Sequence, residues 1–154
     1  MATIEFNNTG GLMEGDFGTN DINVNLDAVY GNFNATTSSS LSNDSDFDNI
    51  WATNGGCIGA WIYPKSIGEG GSGRIAEKEQ WHLHLYTESN GVAKLRFFIN
   101  GGDGVWTTTN YVLPFNAWSH VAVVYDSDST SHDPVIYING ISVAVTENDA
   151  PSAT

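Results

Sequence analysis

The stretch Trp118-Ser-His-Val-Ala-Val-Val-Tyr-Asp126, followed after a polar gap by Val135-Ile-Tyr-Ile-Asn-Gly140, decides the fold class of this chain. Successive side chains of a β-strand point to opposite faces, so Val121, Val123 and Tyr125 share one face of a predicted strand. Asn139-Gly140 predicts a tight hairpin turn, because both residues tolerate positive φ. The run Ile141–Val145 follows at once and predicts a third strand.

Short strand-like runs bounded by Gly, Asn, Asp and Ser recur along the rest of the chain, and no segment shows a sustained helical period. This pattern predicts an all-β sandwich or barrel. We predict a single domain over residues 1–154, with a long polar surface loop at 31–49. The remaining predicted strands are Thr3–Phe6, Ile22–Leu26, Cys57–Tyr63, Arg74–Lys78, Trp81–Thr87, Val92–Ile99 and Trp106–Leu113.

The charge is strongly acidic, with 18 Asp and Glu residues against five Lys and Arg in 154 residues, a formal net charge of −13. A phosphate backbone or an anionic membrane needs a positive surface, so the composition argues against both as partners. The carboxylates suit a hard cation such as Ca²⁺. No apolar run approaches the ~20 residues of a membrane span, and the N-terminus does not have the pattern of a secretory signal. We expect the single cysteine, Cys57, to be a small buried hydrophobe.

Several motifs occur in a fixed order over about residues 47–147. They are Ile58-Gly-Ala-Trp-Ile-Tyr-Pro64, Arg74-Ile-Ala-Glu-Lys78, Trp81-His-Leu83, Trp118–Asp126 and Ile136-Tyr-Ile-Asn-Gly140. Together they resemble the laminin-G-like jelly rolls of the concanavalin A-like lectin/glucanase superfamily. The resemblance implies two curved antiparallel sheets packed face to face as a jelly-roll sandwich.

One departure from the family concerns the end of the chain. Family members usually continue beyond the Asn-Gly hairpin with closing strands that end in a segment like Gly-x-Ile-Asp-Glu-Val-Arg, and no such segment follows Gly140 here. We therefore expect closing strands to be missing and a sheet edge to be open. An open edge can pair with a second copy, with a capsid or tail protein, or with an added strand.

Catalysis is considered because the superfamily includes glucanases. The glucanase pattern on this fold is Glu-x-Asp-x-x-Glu, and the chain does not contain it. A retaining glycosidase needs two carboxyl groups about 5–5.5 Å apart. Glu77 and Glu79 have alternate spacing, but no third acidic partner follows them. We predict a protein that is not an enzyme, with a glycoside hydrolase relative as an alternative.

The run from Trp81 to Tyr86 predicts a candidate glycan-binding face. Trp81, Leu83 and Leu85 are expected in the core, which places His82, His84 and Tyr86 on the opposite, solvated face. Arg96 is expected on the same side from the next strand. Such a surface suits sugars, which need hydrogen bonds to their hydroxyls and flat rings for their C–H faces. The two histidines also have a spacing that can hold a transition metal, although no Cys or acidic partner completes the set.

The tryptophans divide into two predicted groups. Trp61, Trp81 and Trp118 lie within strand patterns and are expected in the core. Trp106, after a glycine-rich turn, and Trp51, beside the polar loop, are further glycan-binding candidates as exposed stacking residues. A packed position under a loop is the alternative for both.

Three aspartates are candidate calcium ligands. Asp126 and Asp128 flank the turn after the long strand, and Asp103 lies in a glycine-rich turn. The alternative is that these carboxylates cap turns by accepting hydrogen bonds from nearby backbone N–H groups. Asp44, Asp46 and Asp48 do not form an EF-hand, because Asn49 and Gly55 stand where that loop needs Gly and Glu.

From these features we expect a non-catalytic, lectin-like module that recognises a glycan or another surface. The composition and the distribution of the family suggest a phage virion component, such as a fibre, tail or head-decoration protein. The alternatives are a purely structural, oligomerising protein without sugar binding, and a secreted, extracellular adhesion module. The sequence leaves sugar identity and calcium dependence open.

Overall fold

The computed structural model describes residues 50–52, 54–78, 80–99 and 104–152, which belong to one compact unit over residues 40–154. Apart from a short 3₁₀ turn at Glu69–Gly71, the regular structure in this part of the chain is all strand. The strands are β1 (Gly56–Ile62), β2 (Arg74–Lys78), β3 (Trp81–Ser89), β4 (Val92–Ile99), β5 (Gly104–Thr108), β6 (Leu113–Pro114), β7 (Ser119–Tyr125), β8 (Val135–Ile138), β9 (Ile141–Val143) and β10 (Val145–Asp149).

The strands form two antiparallel sheets. The four-stranded sheet has the order β1-β7-β8-β9, and the six-stranded sheet has the order β10-β5-β4-β3-β2, with β6 paired to β4. The structure therefore confirms the predicted all-β class and two-sheet antiparallel architecture. In the described residues no helix is long and apolar enough to span a bilayer.

Alternation explains why the strands at the centre of the fold form where the sequence predicts them. Val121 and Val123 of β7 are fully buried and Tyr125 nearly so, while His120 and Val124 face outward, as expected. The predicted Asn139-Gly140 turn has positive φ at each residue, 52° and 79°, and a second Asn-Gly turn, Asn90-Gly91, has 53° and 76°. These values match the turn that joins two twisted strands through two residues.

Two strand predictions differ from the structure. Ile141–Val145 divides at Ala144, where the chain leaves the four-stranded sheet and continues as β10 beside β5 in the other sheet. Trp106–Leu113 also divides, because the chain turns after Thr108, whose hydroxyl donates to the carbonyl of Asn110. The predictions at Thr3–Phe6, Ile22–Leu26 and 31–49 lie outside the described residues, and those of a single domain and of missing closing strands stay predictions.

An aromatic cluster fills the core between the sheets and overturns two expectations. Trp51 and Trp106 are buried, so the prediction that they are exposed stacking residues is wrong, and the packed alternative is correct. The Trp51 ring lies edge-on to Phe97, with 4.9 Å between ring centroids. Trp106 lies 5.1 Å from Tyr125, and its Nε1–H donates to Asp133 Oδ1 at 2.7 Å. Gly104 is required above it, because a Cβ there would lie 2.4 Å from the indole.

Two tryptophans that were expected in the core are exposed. Trp61 is 66% exposed and Trp118 48%, so both predictions of a core position are wrong, whereas Trp81 is buried as predicted. The reason at Trp61 is the strand period: Ile58, Ala60 and Ile62 pack against the core, so the residues between them face outward. Trp118 directly precedes β7, in which Ser119, Val121 and Val123 are the buried residues. Cys57 shares the outward face of β1 and is exposed, which corrects its expected burial.

Candidate functional site

The outer face of the six-stranded sheet gathers the predicted binding residues. Register places Arg74 of β2 opposite His84 of β3, His84 opposite Arg96 of β4, and Arg96 opposite Thr107 of β5. These four residues thus form one row across four strands. We call the surface around this row the cationic face; its members are Arg74, Glu77, His82, His84, Tyr86, Lys94, Arg96, Phe98 and Thr107.

Arg96 is fixed in place by its neighbours. Its guanidinium lies over the Tyr86 ring, 3.3 Å from the centroid, which is a cation–π contact. Its Nε–H donates to Thr107 Oγ1 at 2.9 Å, and that hydroxyl in turn donates to Asn148 Oδ1 at 2.5 Å. The cation is therefore oriented before any ligand arrives.

Arg74 is held at the other end of the row. Its Nε lies 2.9 Å from Glu77 Oε2, and its Nη1–H donates to His84 Nδ1 at 3.3 Å. A guanidinium has no acceptor atom, so His84 must accept at Nδ1 and, when neutral, carry its proton on Nε2. The ion pair with Glu77 is exposed, and its contribution to stability is small.

The two histidines between the arginines are held neutral. Burial, together with the nearby His82, Arg74 and Arg96, lowers the pKa of His84 to about 3. Burial also lowers the pKa of His82; Arg74 and Arg96 act in the same direction, while Glu77 opposes them. The His82 ring stacks on Phe98 with a centroid distance of 4.5 Å. Near neutral pH this pair therefore offers hydrogen-bonding atoms without adding charge.

The predicted candidates thus separate into two groups. His82, His84, Tyr86 and Arg96 come together on one face as expected, although His84 is buried rather than solvated, being covered by its neighbours on the same sheet. Trp51 and Trp106 lie in the core and do not join this face. Sugar binding by the four gathered residues stays a prediction.

Comparison with known families agrees with this architecture. A laminin G family model, described as the concanavalin A-like lectin/glucanases superfamily, matches residues 27–154. The chain belongs to this superfamily. Neither the curated proteins nor the solved structures include a significant match to it. The predicted family is therefore confirmed, and membership supports a lectin-like or carbohydrate-binding module at the level of the superfamily.

The β7–β8 loop of this concanavalin A-like domain contains two of the predicted calcium ligands. Asp126 Oδ1 accepts the N–H of Asp128 at 2.9 Å, and Asp128 Oδ2 accepts the N–H of Asn54 at 3.4 Å. Asp126 Oδ2 lies 3.6 Å from His132 Nδ1. Both carboxylates therefore take part in loop hydrogen bonds, as the capping alternative expects. The described residues hold no group of three His, Cys, Asp or Glu that could bind a metal, and Asp103 lies outside them.

A second surface of the concanavalin A-like domain, absent from the sequence-based predictions, lies on the outer face of the four-stranded sheet. We call it the aromatic platform and define it by Trp61, Tyr63, Trp118, His120 and Asn139. Trp61 and His120 are cross-strand partners with ring centroids 5.3 Å apart, and Tyr63 and Trp118 lie 5.6 Å apart. The signal that reveals it is present in the sequence: Ile58, Ala60 and Ile62 alternate with Trp61, which fixes the tryptophan on the outer face.

Proposed function

We propose that this domain is a non-catalytic carbohydrate-recognition module that binds an acidic sugar across the cationic face. The observation that carries the proposal is the row Arg74–His84–Arg96, in which two oriented guanidinium groups flank a neutral imidazole on three adjacent strands. Membership of a lectin superfamily supports carbohydrate as the ligand class. The residues of the face supply the argument for an acidic sugar, since a fold alone does not determine function.

Charge supports an acidic group on the ligand. Arg74, Lys94 and Arg96 are three of the five basic residues in the chain, and all lie on this face. Neighbouring strands are about 4.8 Å apart, so the backbones of Arg74 and Arg96 are separated by about 10 Å and an anionic group can lie between them. Guanidinium groups bind carboxylate and sulfate through paired hydrogen bonds. Carboxylates on the rest of the protein repel an acidic ligand, so its binding is favoured at the cationic face.

Aromatic rings on the same face suit the rest of a sugar. Tyr86 and Phe98 flank the histidines and are partly buried, so each presents a limited apolar surface to the C–H face of a pyranose. The partly exposed His82 provides a donor and an acceptor nitrogen for hydroxyl groups, whereas Nδ1 of the buried His84 already accepts a hydrogen bond from Arg74. The face therefore combines charge, hydrogen bonding and flat apolar area.

The absence of a glucanase triad supports a non-catalytic role. Two segments begin the pattern, Glu14-Gly-Asp16 and Glu147-Asn-Asp149, but Thr19 and Ser152 occupy the position of the final glutamate. A bulge in β10 places Glu147 opposite Trp106, on the core side, and Asp149 opposite Val105, on the outer side. Two carboxylates on opposite faces of a strand cannot both approach one glycosidic bond.

The direct test is a glycan array followed by titration with oligogalacturonate, sulfated dextran and neutral dextran. We expect the acidic ligands to bind, and the comparison between the first two distinguishes carboxylate from sulfate. Arg74→Gln should weaken binding by roughly tenfold, since hydrogen bonds to charged groups contribute about 1.5–3 kcal/mol. The matched control is Lys65→Gln, which removes one charge from an exposed loop position away from the row.

Two results contradict the proposal: an array without acidic glycans among its hits, or equal losses in Arg74→Gln and Lys65→Gln. Thermal unfolding of each variant shows whether the fold is retained. Cleavage of a bound polysaccharide contradicts the non-catalytic role. A silent array with the cationic face covered in an oligomer supports the purely structural alternative.

Calcium is a separate part of the proposal. We place the calcium ion at the loop of Asp126 and Asp128. This loop provides two carboxylates toward the six to eight oxygen ligands that Ca²⁺ takes. Repeating the array with Ca²⁺ and with a chelator tests it. Loss of binding after chelation supports a calcium-dependent site, and Asp128→Asn should reproduce that loss. Unchanged binding under both conditions contradicts it.

The proposed setting is the surface of a phage virion, with an extracellular adhesion module as the alternative. Support comes from the acidic, Asn-, Thr- and Gly-rich composition and from Ile141, which is 71% exposed on β9, the last strand in the order of the four-stranded sheet. An exposed isoleucine on such a strand suits assembly with another chain. Light scattering should reveal a defined oligomer; a monomer that associates with no particle contradicts this setting.

A further inference from the structure

The aromatic platform on the four-stranded sheet differs from the cationic face in charge. No residue of β1, β7, β8 or β9 is Asp, Glu, Lys or Arg, although the whole chain carries 18 acidic and five basic residues. The six-stranded sheet carries charged residues in β2, β3, β4 and β10. A ligand for the platform is therefore expected to be uncharged, because nothing on these strands compensates the loss of solvent around an ion.

The rings of the platform are exposed for contact. Trp61 is 66% exposed, Trp118 48% and Tyr63 42%. Trp61 lies on β1 and Tyr63 follows directly after its last residue, Ile62, so the extended chain separates the two residues by about 7 Å. Large exposed apolar groups that cluster on one surface are a recognised mark of binding sites, whereas single ones are ordinary.

A shallow cavity adjoins the most exposed ring. Its volume is about 390 Å³, and it is lined by Trp61, His120, Asn139 and Gly140. Binding sites for small ligands occupy about 300–1,000 Å³, so this cavity is at the lower end of that range. Nothing covers the position of a Cβ on Gly140, so the rim at the turn is open.

Asn139 provides an oriented polar group at this rim. Its Oδ1 accepts the backbone N–H of His120 at 2.8 Å, and its own backbone N–H donates to the carbonyl of His120 at 2.8 Å. A backbone N–H can only donate, which assigns the amide oxygen to that bond and leaves the amide nitrogen as the donor offered to a ligand. The same residue forms the hairpin turn, so the strand pairing itself fixes the donor in place.

We propose that the aromatic platform is a second binding site, which holds a neutral pyranose of an oligosaccharide against Trp61 with its hydroxyls at Asn139 and His120. The indole matches the C–H face of the sugar, while the amide and imidazole match its hydroxyl edge. The row from Trp61 to Tyr63 extends the contact to a neighbouring sugar. This site is independent of the cationic face, and neither proposal requires the other.

The test is titration of the intact protein with cellohexaose and mannohexaose, followed by NMR of the indole and side-chain amide signals. Trp61→Ala should weaken binding of a neutral oligosaccharide by about tenfold, corresponding to about 1.4 kcal/mol. The matched control is Tyr111→Ala, which removes an aromatic ring that is 42% exposed outside the platform. Arg74→Gln should leave the affinity for neutral sugars unchanged, which separates this proposal from the first.

Three results overturn the inference. The first is absence of binding by both neutral oligosaccharides. The second is an equal effect of Trp61→Ala and Tyr111→Ala. The third is a concentration-dependent dimer in sedimentation that Trp61→Ala abolishes, since the platform would then contact a second copy. Asn139→Ser keeps a small polar residue at the turn and removes the amide donor. NMR chemical-shift changes that are confined to this site during titration support the proposal even where Trp61→Ala is unstable.

Discussion

The outer face of the six-stranded sheet carries three basic side chains and two neutral histidines, of which His84 is buried, whereas the outer face of the four-stranded sheet carries aromatic rings and no Asp, Glu, Lys or Arg in its strands. Both faces follow the same two-residue alternation, and both have their apolar partners in one shared core. The difference teaches that alternation decides which residues face outward, while cross-strand register decides which of them meet. Four measurements test the difference between the two faces.

The largest expected effect distinguishes a platform tryptophan from a core tryptophan. Trp106→Ala should lower the free energy of unfolding by about 3–5 kcal/mol, because it removes a fully buried ring and leaves a cavity. Trp61→Ala should cost only about 0.2–1 kcal/mol, the range of a cross-strand pair. Urea denaturation measures both. A similar cost at the two positions would show that Trp61 serves folding rather than binding.

The second effect is a pH dependence that belongs to the cationic face. The pKa of His84 is about 3 in the folded protein and about 6.5 when unfolded. Between these values the unfolded chain binds more protons, so stability is fully present above about pH 6.5 and is lost as the pH falls towards 3. We expect a loss of about 2–4 kcal/mol over that window. His84→Gln should flatten the profile measured by urea denaturation; an identical slope in the variant contradicts the assignment.

The third effect is a difference in salt dependence between the faces. Raising NaCl from about 50 mM to about 500 mM should weaken binding of an acidic oligosaccharide by roughly tenfold, because salt screens partly exposed charges. The affinity for a neutral oligosaccharide should change little, since the platform strands carry no Asp, Glu, Lys or Arg. Isothermal titration at both salt concentrations measures this. Parallel losses for the two ligands would remove the distinction between the faces.

The smallest effect concerns the carboxylate beside Arg74. Glu77→Gln removes the acidic group 2.9 Å from the guanidinium and should strengthen binding of an acidic ligand by a few-fold. An exposed ion pair contributes about 0–1 kcal/mol, which sets that scale. Binding of neutral sugars serves as the internal control. Weaker binding of the acidic ligand in this variant would mean that Glu77 positions Arg74 and does not compete with the ligand.

Much of the cationic face was predictable because it depends on short-range patterns. Alternation in β3 places His82, His84 and Tyr86 on one side, and the hairpin through Asn90-Gly91 brings Arg96 opposite His84. The ion pair and hydrogen bond of Arg74 were not predictable, since the pairing of β2 with β3 includes a bulge between Arg74 and Ala76 that shifts the register. A one-residue shift changes which side chains meet across a pair of strands.

At the tryptophans, the average burial of the residue type predicts exposure poorly. Assigning Trp61 and Trp118 to the core follows the average burial of tryptophan, but the alternation of Ile58, Ala60 and Ile62 already requires Trp61 to face outward. Trp106 and Trp51 are the reverse case. Their burial depends on packing against Phe97 and Tyr125, which are distant in the sequence, so no local pattern indicates it.

The sequence alone predicts most of the described strands, their inner and outer faces and the Asn-Gly turns, because each depends on neighbouring residues and on backbone conformations that few residues adopt. It also determined the superfamily, through motifs in a fixed order. Only the tertiary structure decided the row of Arg74, His84 and Arg96, the platform around Trp61 and the crossing from one sheet to the other at Ala144. Those features depend on register and on contacts between distant segments, which the free energy of the whole sandwich selects.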